Sequence, residues 1–240
     1  MTPFETVTYT KTSSYGLVKL NRPEVLNAFN TIMRDEFAEL LQAVRDDPEV
    51  KALIIAGSPG GSFCSGADLT EFGTAPSQII ARQVRWERDV WGMLRDLPKV
   101  TVAAIGGYCL GSGLELASLC DIRVASADAI FGMPEVRLGL IPGAGGTQML
   151  SRLLGKGASL DLLLTGRTIG AQDALSLGMI HALVGTSVLH DEGLRLAKKV
   201  VEAIPGKVVT SIKRAVNEGM DMSLRDGLEL ESRLNALLGA

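Results

Sequence analysis

One stretch limits the folds open to this chain. Thr101 to Ile105 (TVAAI) has the length and β-branched content of a buried strand. It runs into glycines at positions 106, 107, 111 and 113, and a helical pattern begins near Ser112, with Leu116, Leu119 and Cys120 at helical spacing. A buried strand that passes through a glycine-rich turn into a helix belongs to an α/β core. It also leaves backbone N–H groups without partners at the helix start. Glu115 falls in the first turn or two of that helix, and Glu135 follows twenty residues later, directly after Pro134. Two carboxylates supplied by separate segments can serve one acid/base site.

The rest of the chain alternates strand and helix signals, then turns helical. Glu5 to Tyr9 and Gly16 to Leu20 flank a Thr-Ser-Ser-Tyr-Gly turn and predict a hairpin. Asn30 is placed to cap a helix that ends before Pro48, with Ile32, Met33, Phe37, Leu40, Leu41 and Val44 on one face. Val50 to Ala56 reads as a buried strand, and Gly57 to Gly66 as a glycine/serine loop. One helix is expected to carry Ile79, Ile80, Val84, Val90, Trp91 and Leu94 towards Pro98. Ile122 to Ala125 and Ala129 to Phe131 read as short strands. After Ile141-Pro142-Gly143 the strand signals stop and six helical patterns follow. The expected organisation is an α/β core over 1–185 and a C-terminal helical region over 186–240.

Composition narrows the function. With 240 residues, 46% hydrophobic and 21% charged, the chain is long enough for one large core. A net charge of −3 gives no nucleic-acid footprint. Cys64, Cys109 and Cys120 form neither a disulfide framework nor a metal pattern, and the apolar surroundings of Cys109 and Cys120 suit reduced core thiols. No apolar run approaches the ~18 residues of a membrane span. The opening MTPFETVTYTK shows no export or organelle signal, so a cytoplasmic protein is expected.

Each candidate residue has two readings. Glu115 is either a helix glutamate facing water or an inward acid or base, and the crowd of Leu114, Leu116, Ala117, Leu119 and Ile122 favours burial. Glu135 either serves catalysis or, behind Pro134, complements a helix start. Asp68 either binds a ligand or, by preference, caps a following helix. The 57–68 loop follows a buried strand, where α/β proteins place ligands. No G-x-G-x-x-G and no Walker A sequence is present. His181 and His190 read as surface or packing residues.

Five ordered segments carry a resemblance across nearly the whole chain. They are LNRPEVLNAFN, FCSGADL, GGYCLGSGLELASLCDIRVAS, FGMPEVRLGLIPGAGGTQMLSRLLG and LTGRTIGAQDALSLGMI. Together they resemble the enoyl-CoA hydratase/isomerase (crotonase) superfamily, the FGxPE…GxxPGxGG pattern being the most specific. The resemblance implies a crotonase-like spiral of ββα units with a C-terminal helical region used in trimer assembly, often as a dimer of trimers. It implies an acyl-CoA thioester substrate with no separate cofactor, CoA being part of the substrate.

Residue by residue, it places the thioester oxygen between the N–H groups of Ala67 and Ser112, the latter a position where the family often has glycine. It assigns acid/base roles to Glu115 and Glu135. The adenine and pantetheine side of CoA would meet the backbone of Ala67, Asp68 and Leu69 and the loop near Val25. Phe72, Ile79, Trp86 and Trp91 either shape the acyl pocket or pack the helix core. Having both glutamates favours a hydratase over an isomerase, which can work with one carboxylate, and over a non-catalytic acyl-CoA-binding or scaffold member. Relatives usually continue into a charged, aromatic-containing tail where this sequence ends, which leaves three alternatives: a more open pocket, one completed by a neighbouring subunit, or a truncated chain.

Overall fold

The computed structural model describes residues 4–58 and 61–239, the side chains at 78, 81, 82, 85 and 86 excepted. The hairpin forms as expected: β1 (Val7–Thr12) and β2 (Tyr15–Leu20) pair antiparallel, with Lys11 opposite Gly16. Then β3 (Ala52–Ala56) and β4 (Val100–Ile105) add in parallel. Both lie buried along their whole length, so neither shows the one-sided alternation of a solvent-facing strand.

Asn30 caps α1 (Thr31–Asp46), its Oδ1 accepting from Met33 N at 2.8 Å. The expected apolar face is buried except at Ile32, which is 47% exposed in the first turn. The single helix expected over 79–94 is two: α2 (Gln78–Glu87) and α3 (Val90–Arg95). Asp89 breaks the pattern, because its carboxylate accepts from Gly92 N at 3.0 Å and starts α3 afresh. Ile79, at 78% exposure, packs no core.

Beyond β4 comes β5 (Tyr108–Leu110), inside the stretch expected to be only a turn, and then α4 (Ser112–Ser118). β6 (Ile122–Ser126) returns to the large sheet and β7 (Ile130–Gly132) pairs in parallel with β5. The helices α5 (Gly146–Thr165, broken at Gly155), α6 (Ala171–Ser176), α7 (Leu189–Val201), α8 (Gly206–Gly219) and α9 (Leu224–Leu238) follow. Strands do not stop at Ile141. β8 (Thr168–Gly170) pairs antiparallel with β7, and β9 (Ala182–Val184) adds in parallel to β6.

The large sheet therefore runs β1-β2-β3-β4-β6-β9 and the small one β5-β7-β8. Successive units repeat one path, from a large-sheet strand to a short extended segment and then a helical turn. The short segments stack in parallel: Phe29 against Ala67, Cys64 against Cys109, and β5 against β7. This stack is the spiral. One face of the large sheet, with Leu53, Ile55, Ala103 and Ile105, joins the core that includes Phe37 and Phe131. The other, with Ile54, Val102, Ala104 and Val124, is covered by Leu189, Ala197 and Val201 of α7.

Candidate active site

The spiral sets two loops side by side. Cys64 pairs with Cys109 through Cys64 N to Tyr108 O (2.9 Å) and Leu110 N to Cys64 O (3.0 Å). Three residues on lie Ala67 and, at the start of α4, Ser112; the glycines before them stay close, a Cβ on Gly111 coming 3.7 Å from Gly66 Cα, and both residues line one cavity. Around Ala67, Phe29 N donates to Gly66 O and Asp68 N donates to Phe29 O. In a parallel bridge of that form the N–H of the middle residue, Ala67, faces away from Phe29. Ser112 is the first residue of α4, so its N–H has no partner within the helix. Among the described residues no acceptor meets either N–H.

Two glycines make the close approach. Gly111 sits at φ 49°, ψ −121°, a conformation for residues without a Cβ, and a Cβ there would come 2.8 Å from Glu135 Oε1. A Cβ on Gly113 would stand 2.4 Å from Cys64 O, so α4 can lie against the Cys64 strand only with glycine at that position.

Glu115 is 1% exposed. Its Oε1 accepts from Ala144 N and Gly146 N, each at 2.8 Å. Gly146 opens α5, so the start of one helix holds a carboxylate from another. Glu135 lies in a 3-10 turn, Pro134–Leu138, with Pro134 in its first positions. Its Oε2 is buried without a hydrogen-bond partner among the described residues. Burial pushes the Glu135 carboxyl up from the ordinary carboxylate range; its own peptide N–H offsets part of this and the negative Glu115 adds to the rise. The last effect requires the two carboxylates to be neighbours.

Ala67, Ser112 and Glu135 meet at a cavity of about 570 Å³; Glu115 is not among its lining residues and adjoins it through Ala144, from whose N–H it accepts a hydrogen bond. Ala67, Leu69, Ser112, Glu135 and Ala144 line the cavity, as do Phe29, Phe72, Val90 and Trp91. Phe29 and Trp91 stack tilted, with ring centroids 5.0 Å apart. Ile79 is not among the lining residues, and the Trp86 side chain lies outside the described residues.

Asp68 caps a short 3-10 turn through Thr70 and pairs with Arg22 at 2.9 Å, and these partners hold its carboxyl below the ordinary range. Val25 is outside the cavity wall; Ser65 Oγ donates to its carbonyl at 3.3 Å, tying its loop to the Ala67 segment. Neither histidine lines the cavity, and all three cysteines are free and buried. Sequence reasoning missed the Ala144–Gly146 clamp on Glu115. Its signal was present: a glycine run directly before a helix offers N–H groups to an anion.

A family model described as enoyl-CoA hydratase/isomerase matches residues 10–238. The chain is similar to a short-chain-enoyl-CoA hydratase of Clostridium acetobutylicum, 39% identical over 223 residues that cover 92% of this chain and 85% of that protein. It is 36% identical over 233 residues to a probable enoyl-CoA hydratase of Mycobacterium tuberculosis, covering 96% of this chain and 88% of that one. Among solved structures, enoyl-CoA hydratase subunit I of Geobacillus kaustophilus matches with a TM-score of 0.91 at 34% identity, over 99% of this chain and 91% of the other.

Proposed function

The chain belongs to the enoyl-CoA hydratase/isomerase family, and from that premise we propose that it adds water across the 2,3 double bond of a 2-enoyl-CoA, with Ala67, Ser112, Glu115 and Glu135 as the working groups. The activity is that of a hydro-lyase of fatty acid metabolism. The observation that supports these roles is that one cavity gathers the residues of two backbone N–H groups without acceptors and the Glu135 carboxylate, while the buried Glu115 is held against its wall by the N–H of the lining residue Ala144.

The thioester carbonyl makes the β-carbon electrophilic. Water attacks there, a C–O bond forms, and the π electrons shift until the carbonyl oxygen carries enolate charge. The Ala67 and Ser112 N–H groups meet that charge, and each preorganised donor of this kind is worth ~2.7–4 kcal/mol in the transition state. Glu115, oriented by Ala144 and Gly146, takes the proton from the water. Glu135 helps hold the water and delivers a proton to the α-carbon, which returns the electron pair from the oxygen and completes the 3-hydroxyacyl-CoA. The two carboxylates titrate as a pair. Asp68, Leu69 and the Val25 loop are proposed to hold the CoA side through their backbone.

A homotrimer or dimer of trimers belongs to the same proposal. It is supported by apolar side chains left exposed on the C-terminal helices, among them Val216, Leu224 and Leu237. No described helix is long and apolar enough to cross a membrane. Three free, buried thiols fit a reducing compartment such as the cytoplasm.

The test is hydration of straight, branched, ring and dicarboxylic 2-enoyl-CoAs, followed by loss of the conjugated thioester absorbance. Turnover of one class that falls ~10²-fold or more in both Glu115→Gln and Glu135→Gln supports the assignment. Turnover that survives Glu115→Gln but not Glu135→Gln points to isomerase-type proton shuttling instead. Absence of turnover with acyl-CoA still bound would move the chain to the non-catalytic binding reading.

A further inference from the structure

We infer that Asn27 is a positioning residue for the reaction: through the turn 22–29 it sets the Ala67 N–H that meets the thioester oxygen. The inference rests on the role proposed for Ala67 and deepens it. Ala67 lies in the 62–68 loop, which is anchored from two sides. Its first half is tied to the β5 strand through Cys64, as described above. Its second half has another anchor. Ser65 N donates to Leu26 O at 3.0 Å, Phe29 N to Gly66 O at 2.8 Å and Asp68 N to Phe29 O at 3.0 Å. Among the described residues, these are the backbone bonds that join 65–68 to a distant segment, so the turn 22–29 decides where Ala67 stands.

Asn27 holds that turn. It is 1% exposed, and its backbone is left-handed at φ 56°, as is that of Leu26 at φ 53°. Asparagine is one of the few residues with a side chain that visit this region readily. Asn27 N donates to Arg22 O at 2.8 Å and Arg22 N donates to Asn27 Oδ1 at 2.7 Å, which closes the turn on itself. The other end of the same amide crosses to the loop: Asn27 Nδ2 donates to Ser62 O at 2.7 Å in a buried bond. One planar amide therefore fixes both the shape of the turn and its seat on the loop that carries Ala67. That takes an acceptor and a donor on one short stem, which asparagine has and aspartate lacks. Without the amide, Arg22 N and Ser62 O lose their partners, and buried groups in that state are costly unless the backbone shifts to satisfy them. Asn27 does not line the cavity, so it acts through the loop and not on the substrate.

The experiment uses two variants. Asn27→Gly keeps the left-handed backbone and loses the amide. Asn27→Asp keeps an acceptor for Arg22 N but sets a second acceptor against Ser62 O. Gly178→Ala, which strains the backbone far from any contact, is the control for lost stability. The readouts are Tm, kcat and KM for crotonyl-CoA hydration, and the enolate absorbance of bound acetoacetyl-CoA at fixed pH. The enolate signal reads the oxyanion donors without any addition of water, so a failed hydratase reading is separated from a failed positioning reading. Both Asn27 variants are expected to lose ~10-fold or more in kcat, as for partial loss of one oxyanion donor. KM should change far less, and the bound enolate fraction should fall with kcat. Gly178→Ala should lower Tm and keep both kcat and the enolate signal. Asn27 variants that behave like Gly178→Ala would make Asn27 merely structural and overturn the proposal. A raised KM with the enolate fraction of the bound ligand unchanged would assign Asn27 to CoA binding and overturn it as well.

Discussion

Gly111 joins the two halves of the mechanism, because it is followed by the Ser112 N–H and touches the Glu135 carboxylate. Replacing it with alanine adds one methyl group with two separable consequences. The first is backbone strain: φ 49°, ψ −121° is a sparsely populated conformation for a residue with a Cβ, costing ~1–3 kcal/mol. In a domain of this size that corresponds to a fall in Tm of ~2–4 °C per kcal/mol. The second is contact: the new Cβ would stand 2.8 Å from Glu135 Oε1. Normal carbon–oxygen contact is wider, so Glu135, Ser112 or both must move by several tenths of an ångström. Displacements on the order of 1 Å in a reacting group cost ~10²-fold in rate. Gly178→Ala is the matched control, since Gly178 also has positive φ (74°) but a Cβ there meets nothing within 4 Å. Thermal melts and steady-state hydration should give a lower Tm for both variants and a kcat loss of ~10-fold or more for Gly111→Ala alone. If Gly111→Ala keeps wild-type kcat while losing the same Tm as Gly178→Ala, the argument that these groups share one crowded site is refuted.

Three other outcomes are expected. Because the Glu135 carboxyl is raised in the folded state, its ionisation weakens the fold as pH rises through that raised value. Glu135→Gln should therefore raise Tm at pH 7–8, with the gain shrinking as pH falls and vanishing by ~pH 3, below the ordinary carboxylate value of ~4.3, where the wild-type carboxyl is protonated in both states; a gain that is constant with pH would contradict this. Burial pushes the Cys64 and Cys120 thiols up to about 12 and Cys109 also well above its ordinary value, so a thiol reagent at pH 8 should label none of the three until denaturant is added. Asn30→Ala should remove the cap on Met33 N and cost ~1 kcal/mol, read as a Tm drop of ~2–4 °C.

The parts of the fold that were legible in the sequence are those that announce themselves locally. A hairpin around Ser13 and Ser14, α1 with its Asn30 cap, and the fully apolar β3 and β4 all follow from pattern and turn chemistry. β5, β8 and β9 were not legible because three residues show no period and each lies among glycine-turn or helical signals, whereas the equally short β7 carries the apolar pair Ile130 and Phe131. Their reason for being strands is a distant partner, as when Ile169 pairs with Phe131. The break at Asp89 was hidden by apolar residues that keep helical spacing across it. In the site, burial of Glu115 could be read from its neighbours, whereas the meeting of Ala67 and Ser112 at one cavity depends on the stacked spiral that pairs Cys64 with Cys109.

The central claim is that solvent supplies both the oxygen and the proton added to the substrate, through Glu115 and Glu135. It is tested most directly by running the reaction in deuterated and in ¹⁸O-labelled water and reading the product by mass spectrometry. The account predicts a 3-hydroxyacyl-CoA with one solvent oxygen at C3 and one solvent deuterium at C2, both lost together in Glu115→Gln. Deuterium entering the acyl chain with no labelled oxygen would contradict it, because the carboxylates would then be moving protons without adding water.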